Sequence, residues 1–345
     1  MATFTSGTGA VTLSDVAREA GVSSATASRA LNGSTRNVRH DAKLRVEAAA
    51  ARLGYVANAA AQATARGRST TIAFIVNAIS EDYFSPISVG VYRAADRADL
   101  MVTMVSTRES VDRAAQIVSN LRGQRPQLVI MAGGRNEERG FDKVISELQA
   151  HERDGGRVVV ISQSGLPFDT VTVDNYGAAR KMAAAMVDLG YGDFTIFAGP
   201  ERALTPADRT RGFVDELASR GIEIGPDRIM HSDFGRDGGY RSAGEFLRRR
   251  SNTTAILSAS DAMAIGALAR LREAGLSLPG DMAISGFDDL VALRDVVPAL
   301  TTLRLPWLEV GEKALELGLD DHRGAPRLIT LDGHVVLRES TPRLV

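Results

Sequence analysis

From residue 12 to residue 31, apolar and polar positions alternate with helical spacing in two short runs separated by a glycine. Val16, Ala17 and Ala20 form the first stripe, Gly21 ends it, and Ser14 stands where an N-cap is expected. Ser23 caps the second run, which turns Ala27 and Leu31 inward and Ser24, Ala25 and Arg29 outward. The small residues Ala17, Ala20 and Gly21 let the two helices meet at the steep angle of a helix-turn-helix. A third helix is expected over residues 41–53, with Leu44, Val46, Ala49 and Leu53 closing a three-helix core and Gly54 stopping it.

After Ile72 the pattern changes to short apolar runs separated by helical stretches. The runs predict strands at 72–76, 101–105, 128–131, 158–161, 194–197, 255–257 and 282–284. Between them, helices are predicted at 87–98, 111–121, 141–152, 178–189, 207–220, 238–249 and 262–274, many ending at a glycine such as Gly123, Gly190 or Gly275. This is the rhythm of right-handed βαβ units, with more units than one ordinary sheet holds, so two doubly wound parallel-sheet subdomains are expected.

A chain of 345 residues is too long for one compact core. It contains no cysteine, which excludes disulfides, thiolate metal sites and cysteine nucleophiles. The first eleven residues carry neither the basic nor the apolar region of a signal peptide, and no apolar run could span a bilayer, so a cytoplasmic location without membrane contact is expected. The net charge of −1 is unevenly spread: residues 1–69 hold nine Lys/Arg against four acids, leaving the rest of the chain acidic. A basic headpiece on an acidic body suits contact with a polyanion.

Thr12-Leu13, Asp15-Val16-Ala17, Ala20-Gly21-Val22-Ser23, Thr26, Ser28-Arg29 and Asn32 together resemble the headpiece of the lac-repressor family of bacterial transcription regulators. The resemblance implies that the second helix enters the major groove with Ser24, Ala25 and Arg29 at the bases. Arg29 is the strongest reader, because a guanidinium bonds guanine O6 and N7 together and discriminates by about 1–3 kcal/mol. Thr12, Ser23, Thr26, Ser28 and Asn32 are then expected on phosphates. Tyr55, Asn58, Ala61 and Thr64 complete the implied DNA-binding set, the last three in a hinge that becomes helical in the minor groove. Ala57 stands where the family has proline and Thr64 where it has a wedging leucine, so less kinking of the operator centre is expected.

Val173-Asp174-Asn175-Tyr176-Gly177-Ala178, Arg209-Thr210-Arg211-Gly212-Phe213, residues 260–267 from Ser260-Asp261, Gly286-Phe287-Asp288-Asp289, Leu300-Thr301-Thr302-Leu303 and Arg338-Glu339-Ser340-Thr341 extend the resemblance through the body. They imply a periplasmic-binding-protein-like α/β fold with three crossings between subdomains, near 174, 305 and 325. The expected division is a headpiece at 1–57, a hinge at 58–70 and a sensing and dimerisation body at 71–345. Within the body, the N-subdomain takes about 71–174 and 305–325, and the C-subdomain about 175–304 and 326–345. Family positions lining the cleft correspond to Tyr83, Phe84, Arg108, Ser162, Gln163, Arg209, Phe234, Ser260 and Asp288. A charged fork, a two-oxygen acceptor and aromatic faces suit a small polar ring compound, sugar-like or nucleoside-like. Plainer readings stand beside these: Tyr83 and Phe84 as core aromatics, Asp174, Asp261 and Asp289 as caps and turn braces, Arg209 and Asp288 as a pair in the empty site.

The expected function is a homodimeric, effector-controlled repressor on a pseudo-palindromic double-stranded operator. The alternative is a solute-binding protein of the same fold without a DNA role. No phosphate-binding glycine loop, nucleophile elbow or metal-spaced cluster occurs, and the five histidines are scattered. Neither catalysis nor a cofactor or metal is expected.

Overall fold

The computed structural model describes residues 11–31, 38–56, 69–77, 84–108, 110–133, 141–249, 252–322 and 324–344. The chain divides into two compact units, Met1–Thr70 and Thr71–Val345.

In the first unit, α1 (Leu13–Ala20), α2 (Ser24–Leu31) and α3 (His40–Leu53) surround a core of Val16, Ala17, Ala20, Ala27, Ala30, Val46, Ala49 and Ala50. Thr12, rather than Ser14, caps α1. Its hydroxyl accepts from Asp15 N–H at 3.4 Å while the Asp15 carboxylate accepts from Thr12 N–H at 3.0 Å. This reciprocal box needs an acid three residues after the cap, and Ala17 in that place could not serve Ser14. Gly21 and Gly54 end α1 and α3 at φ 64° and 63°, the left-handed conformation that glycine adopts without strain. Leu44 does not join the core and is 52% exposed. The buried stripe of α3 runs through Ala42, Val46, Ala49 and Ala50, and Leu44 lies two residues from it, on the opposite side of the helix.

The second unit opens with β1 (Thr71–Val76), α4 (Phe84–Arg97), β2 (Met101–Ser106), α5 (Val111–Gln124), β3 (Leu128–Ala132), α6 (Phe141–Arg153), β4 (Arg157–Ile161) and β5 (Asp169–Val173). It continues through α7 (Asn175–Asp188), β6 (Phe194–Ala198), α8 (Leu204–Ser219), β7 (Ile229–His231), α9 (Arg236–Arg249), β8 (Ala255–Ser258), α10 (Asp261–Glu273) and β9 (Ala283–Ser285). The last elements are β10 (Thr302–Arg304), α11 (Trp307–Leu319), β11 (Leu328–Leu331) and β12 (His334–Val336).

Two parallel sheets result, one ordered β11-β5-β4-β3-β1-β2 and the other β7-β6-β8-β9, with β10 and β12 paired antiparallel. Central strands such as β3 are buried along their whole length because helices cover both faces, whereas β2 lies at an edge with Met101 and Thr103 exposed. These features are those of the periplasmic-binding-protein-like body and its doubly wound sheets.

α11 packs against α4 through glycines. A methyl group on Gly90 would lie 2.0 Å from Leu308 O, and one on Gly311 would lie 2.1 Å from Ile87 O. Because β11 pairs in parallel with β5, the chain remains with the first sheet until Leu331. The third crossing therefore follows residue 331 instead of falling near 325. After it, the tail joins the second sheet: Ser340 donates to Ile284 O at 2.7 Å, and Leu344 N–H to Leu189 O at 2.8 Å.

Candidate functional site

On the headpiece, α2 buries Ala27 and Ala30 and turns Ser24, Ala25 and Arg29 to solvent. The Ser23 hydroxyl accepts from Thr26 N–H at 3.1 Å and shares a 2.9 Å bond with the Thr26 hydroxyl. One of these two hydroxyl protons is thus used internally, so the pair offers a single donor to an acceptor-only group such as phosphate. Thr12 offers none while its cap is formed, since its hydroxyl donates to Asp15 at 2.6 Å. Ser28 is half-buried, and Tyr55 packs against the three-helix core. Asn32, Asn58, Ala61, Thr64 and Tyr83 lie outside the described residues.

In the body, the polar residues that follow the strands gather in two groups. Arg209, on α8, is 1% exposed. Its Nε donates to Asn175 Oδ1 at 2.8 Å, and its Nη1 donates to Ala259 O at 2.8 Å and to Asp288 Oδ2 at 3.2 Å. Nη2 donates to Asp288 Oδ1 at 2.9 Å, which makes the carboxylate contact bidentate. The guanidinium carbon stands 3.9 Å from the Phe287 ring centroid and 5.5 Å from that of Phe234. The fork therefore spends four of its five N–H groups on described residues and retains one on Nη2 with no partner among them.

Asp288 follows β9 and takes φ 117°, a strained value for a residue with a Cβ. Burial raises its carboxyl above the ordinary range, against the opposing pull of Arg209 and the Trp307 indole. Asp261, at the start of α10, is pushed up to about 7, first by burial and then by the charge of Asp288, although Thr302 Oγ1 and Leu290 N–H donate to it at 2.6 and 2.8 Å. Asp289 is held low in spite of burial by Arg338 and Arg304, each at 2.5 Å. Ser260 has no free hydroxyl proton. It donates to Phe234 O at 2.9 Å and accepts from Met263 N–H at 3.2 Å, so it braces the N-terminus of α10 instead of presenting itself to a ligand.

The second group lies at the ends of the first sheet. Gln163 is buried, with Nε2 donating to Gly133 O at 2.7 Å and Oε1 unpartnered. Ser162 precedes it at φ 63°, and Arg108, exposed at φ 53°, follows β2. Phe84 heads α4 and packs into the hydrophobic core. Asn175, Phe287 and Trp307 belong to the first group, around Arg209 and Asp288, although the sequence pattern does not mark them as site residues. The signal for Trp307 was its being the single tryptophan of the chain. Among the described residues no cluster of His, Asp and Glu could hold a metal, and no helix is long and apolar enough to cross a membrane.

Residues 12–58 match the bacterial regulatory proteins of the lacI family, and residues 183–341 match a periplasmic binding protein-like domain. The HTH-type transcriptional repressor CytR of Escherichia coli (strain K12) is 30% identical over 342 residues, covering 97% of both chains. The HTH-type transcriptional regulator CelR of Thermobifida fusca is 27% identical over 337 residues, 95% of this chain and 98% of CelR. Among solved structures, the lac repressor dimer bound to operator and the anti-inducer ONPF superposes with TM-score 0.83 at 25% identity, covering 97% of this chain and 100% of that one. A CelR–cellobiose complex gives TM-score 0.71 at 26% identity, covering 96% and 99%.

Proposed function

This chain belongs to the lacI family of bacterial regulatory proteins and is a ligand-responsive, DNA-binding regulator of transcription; on that premise we propose that it is a cytoplasmic, homodimeric repressor without catalytic activity. Its effector is a small polar ring compound seated at Arg209 and Asp288. One observation carries the effector assignment: a buried bidentate pair, stacked on Phe287 and near Phe234, that keeps one N–H and carboxylate lone pairs uncommitted. A ring bearing hydroxyl or N–H groups meets both needs, one face against an aromatic ring and its polar edge toward the fork. The solved relative CelR holds cellobiose, which supports the sugar-like branch of this class.

On the DNA side, Arg29 supplies most direct base discrimination, Ser24 and Ala25 read weakly, and Ser23, Thr26 and Ser28 fix register on phosphates. The headpiece ends at residue 57 and the hinge at 70. Two headpieces then face the half-sites of a pseudo-palindromic operator, as the solved relative's dimer on its operator supports.

A gel shift with the DNA upstream of the chain's own gene tests the first half, and salt-sensitive, sequence-selective retention is expected. Thermal shift with cellobiose, other sugars, polyols and nucleosides tests the second. Stabilisation that disappears in Arg209→Met supports the site, whereas a stabilising ligand indifferent to both Arg209 and Asp288 substitutions would falsify it. Absence of any selective DNA retention would leave the solute-binding alternative.

A further inference from the structure

Six basic side chains lie among the described residues of the headpiece, and they fall into two sets. Arg18 pairs with Asp15 at 2.9 Å, Lys43 with Glu47 at 3.7 Å and Arg52 with Glu19 at 3.1 Å. Arg29, Arg39 and Arg45 are exposed and pair with no carboxylate among the described residues. Even Asp41, one helical turn before Arg45, is not within ion-pair distance of it. Half of the described positive charge is therefore neutralised inside the headpiece, and the remainder faces solvent with no carboxylate partner among the described residues.

The placement of the unpaired set is informative. Arg45 leaves α3 toward the turn that opens α2, so that a methyl group on Gly21 would stand 3.9 Å from its Nη1. Arg39 stands at the head of α3, on the segment that follows α2, and its side chain makes no capping bond. Arg29 occupies the last turn of α2 itself. Eight residues at 1.5 Å per residue make α2 about 12 Å long, the width of a B-DNA major groove, whose two edges are phosphate backbones. Thr12 has no hydroxyl proton free for a phosphate and Ser23 with Thr26 has one, so these three hydroxyls supply at most one phosphate contact among them and leave room for other anchoring groups.

We propose that Arg39 and Arg45 bind backbone phosphates on the two sides of the groove that α2 enters, orienting the headpiece while Arg29 reads bases. This rests on the DNA-binding reading above and adds two residues that the sequence pattern did not single out. The competing role for Arg45 is purely structural, as a cation beside the carbonyl end of α1.

Salt dependence separates the two roles, because each phosphate contact releases counterions and adds about 0.9 to the slope of log K against log salt. The full-length chain is titrated with a duplex of random sequence over a range of salt concentrations, alongside Arg39→Ala, Arg45→Ala, Arg45→Lys and Arg52→Ala. With two headpieces on the duplex, Arg39→Ala and Arg45→Ala each flatten the slope by about 2, with unchanged headpiece melting by circular dichroism. Arg45→Lys restores the slope, and Arg52→Ala, which removes a cation already paired with Glu19, leaves it as it was. Unchanged slopes in the two alanine variants overturn the proposal, and so does a flattened slope that only accompanies a melted headpiece. A wild-type chain showing no salt-dependent binding at all would instead overturn the DNA-binding reading on which the proposal stands.

Discussion

Replacing Asp288 with alanine removes the partner of a guanidinium that is 1% exposed. Arg209 cannot shed its charge, and it cannot reach water without leaving Asn175 and the Ala259 carbonyl. Breaking a buried pair from one side costs about 3–5 kcal/mol, because the surviving charge is left uncompensated. Two retained hydrogen bonds and the Phe287 face place the expected loss near the lower end, about 3 kcal/mol. For a body of this size that is a fall of roughly 6 °C in melting temperature. Trp307, the single tryptophan, lies against Asp288, so its fluorescence reports unfolding of this lobe boundary directly. Removing both charges with Arg209→Met and Asp288→Leu should recover most of the stability, since apolar replacement of a whole buried pair is often neutral. If Asp288→Ala costs less than about 1 kcal/mol, or the double variant is as unstable as the sum of the singles, the pair is not the buried, coupled unit described here.

Asp261 is raised to about 7 in the folded chain, so folding takes up a proton over the interval from its ordinary carboxylate value to about 7. Its contribution is complete in acid and is lost as pH rises through 7. Asp261→Asn should flatten that decline in a denaturant series taken across this range, with the step shared between Asp261 and Asp288. His151 has the opposite sign: burial first, then Arg122, lowers its pKa against the pull of Asp154, so its contribution is full above 6.5 and falls away in acid. His151→Leu should reduce acid sensitivity, and an unchanged acid limb of the stability curve would contradict this. Gly311→Ala places a methyl group 2.1 Å from a backbone carbonyl of α4, and at least about 1–3 kcal/mol of lost stability is expected by denaturant melting.

Most strands that sequence revealed are buried on both faces, where burial writes a continuous apolar run, and the edge strand β2 was legible as well from its run Met-Val-Thr-Met-Val. β1, β3, β4 and β6 fall within one residue of their expected bounds. β5, with the sequence Asp-Thr-Val-Thr-Val, and β11, beside it at the sheet edge, carry half-polar patterns that read as loop. β7, β10 and β12 are three residues long, too short for any period to register, and β9 lies one residue later than expected. α11 was missed for a different reason. Its apolar residues Trp307, Val310, Ala314, Leu315 and Leu317 cover a broad face against α4 and the first sheet, without the strand-then-glycine frame that marked the other helices. At the site, Arg209 and Asp288 were legible as chemistry, and even their pairing was an open reading. The commitment of Ser260 and Thr12 to caps was not, because a hydroxyl's partner depends on which backbone N–H the fold delivers to it.

The acids around Arg209 are also tied to the rest of the body. Asp288 N–H donates to Leu303 O at 2.8 Å, Thr302 Oγ1 donates to Asp261, and Arg304 donates to Asp289. All three neighbours lie on β10, the strand that carries the chain back toward the first sheet, and Trp307 opens α11 three residues later. Arg209 therefore shares its carboxylate partner with the segment that joins the two lobes. A ligand group that takes the remaining Nη2 proton, or competes for the Asp288 oxygens, changes the interactions of a residue bonded to this crossing. A ligand can shift the lobes only by binding one arrangement better than the other, and a ligand that meets the shared carboxylate in one arrangement only would supply such a difference. Arg209→Met with Asp288→Leu removes both the proposed ligand contacts and this link while conserving the core, so the double variant should fold and yet hold a single lobe arrangement with and without ligand. Small-angle scattering with and without ligand reads the outcome, and a ligand-dependent change that survives the double substitution would place both the site and the coupling elsewhere.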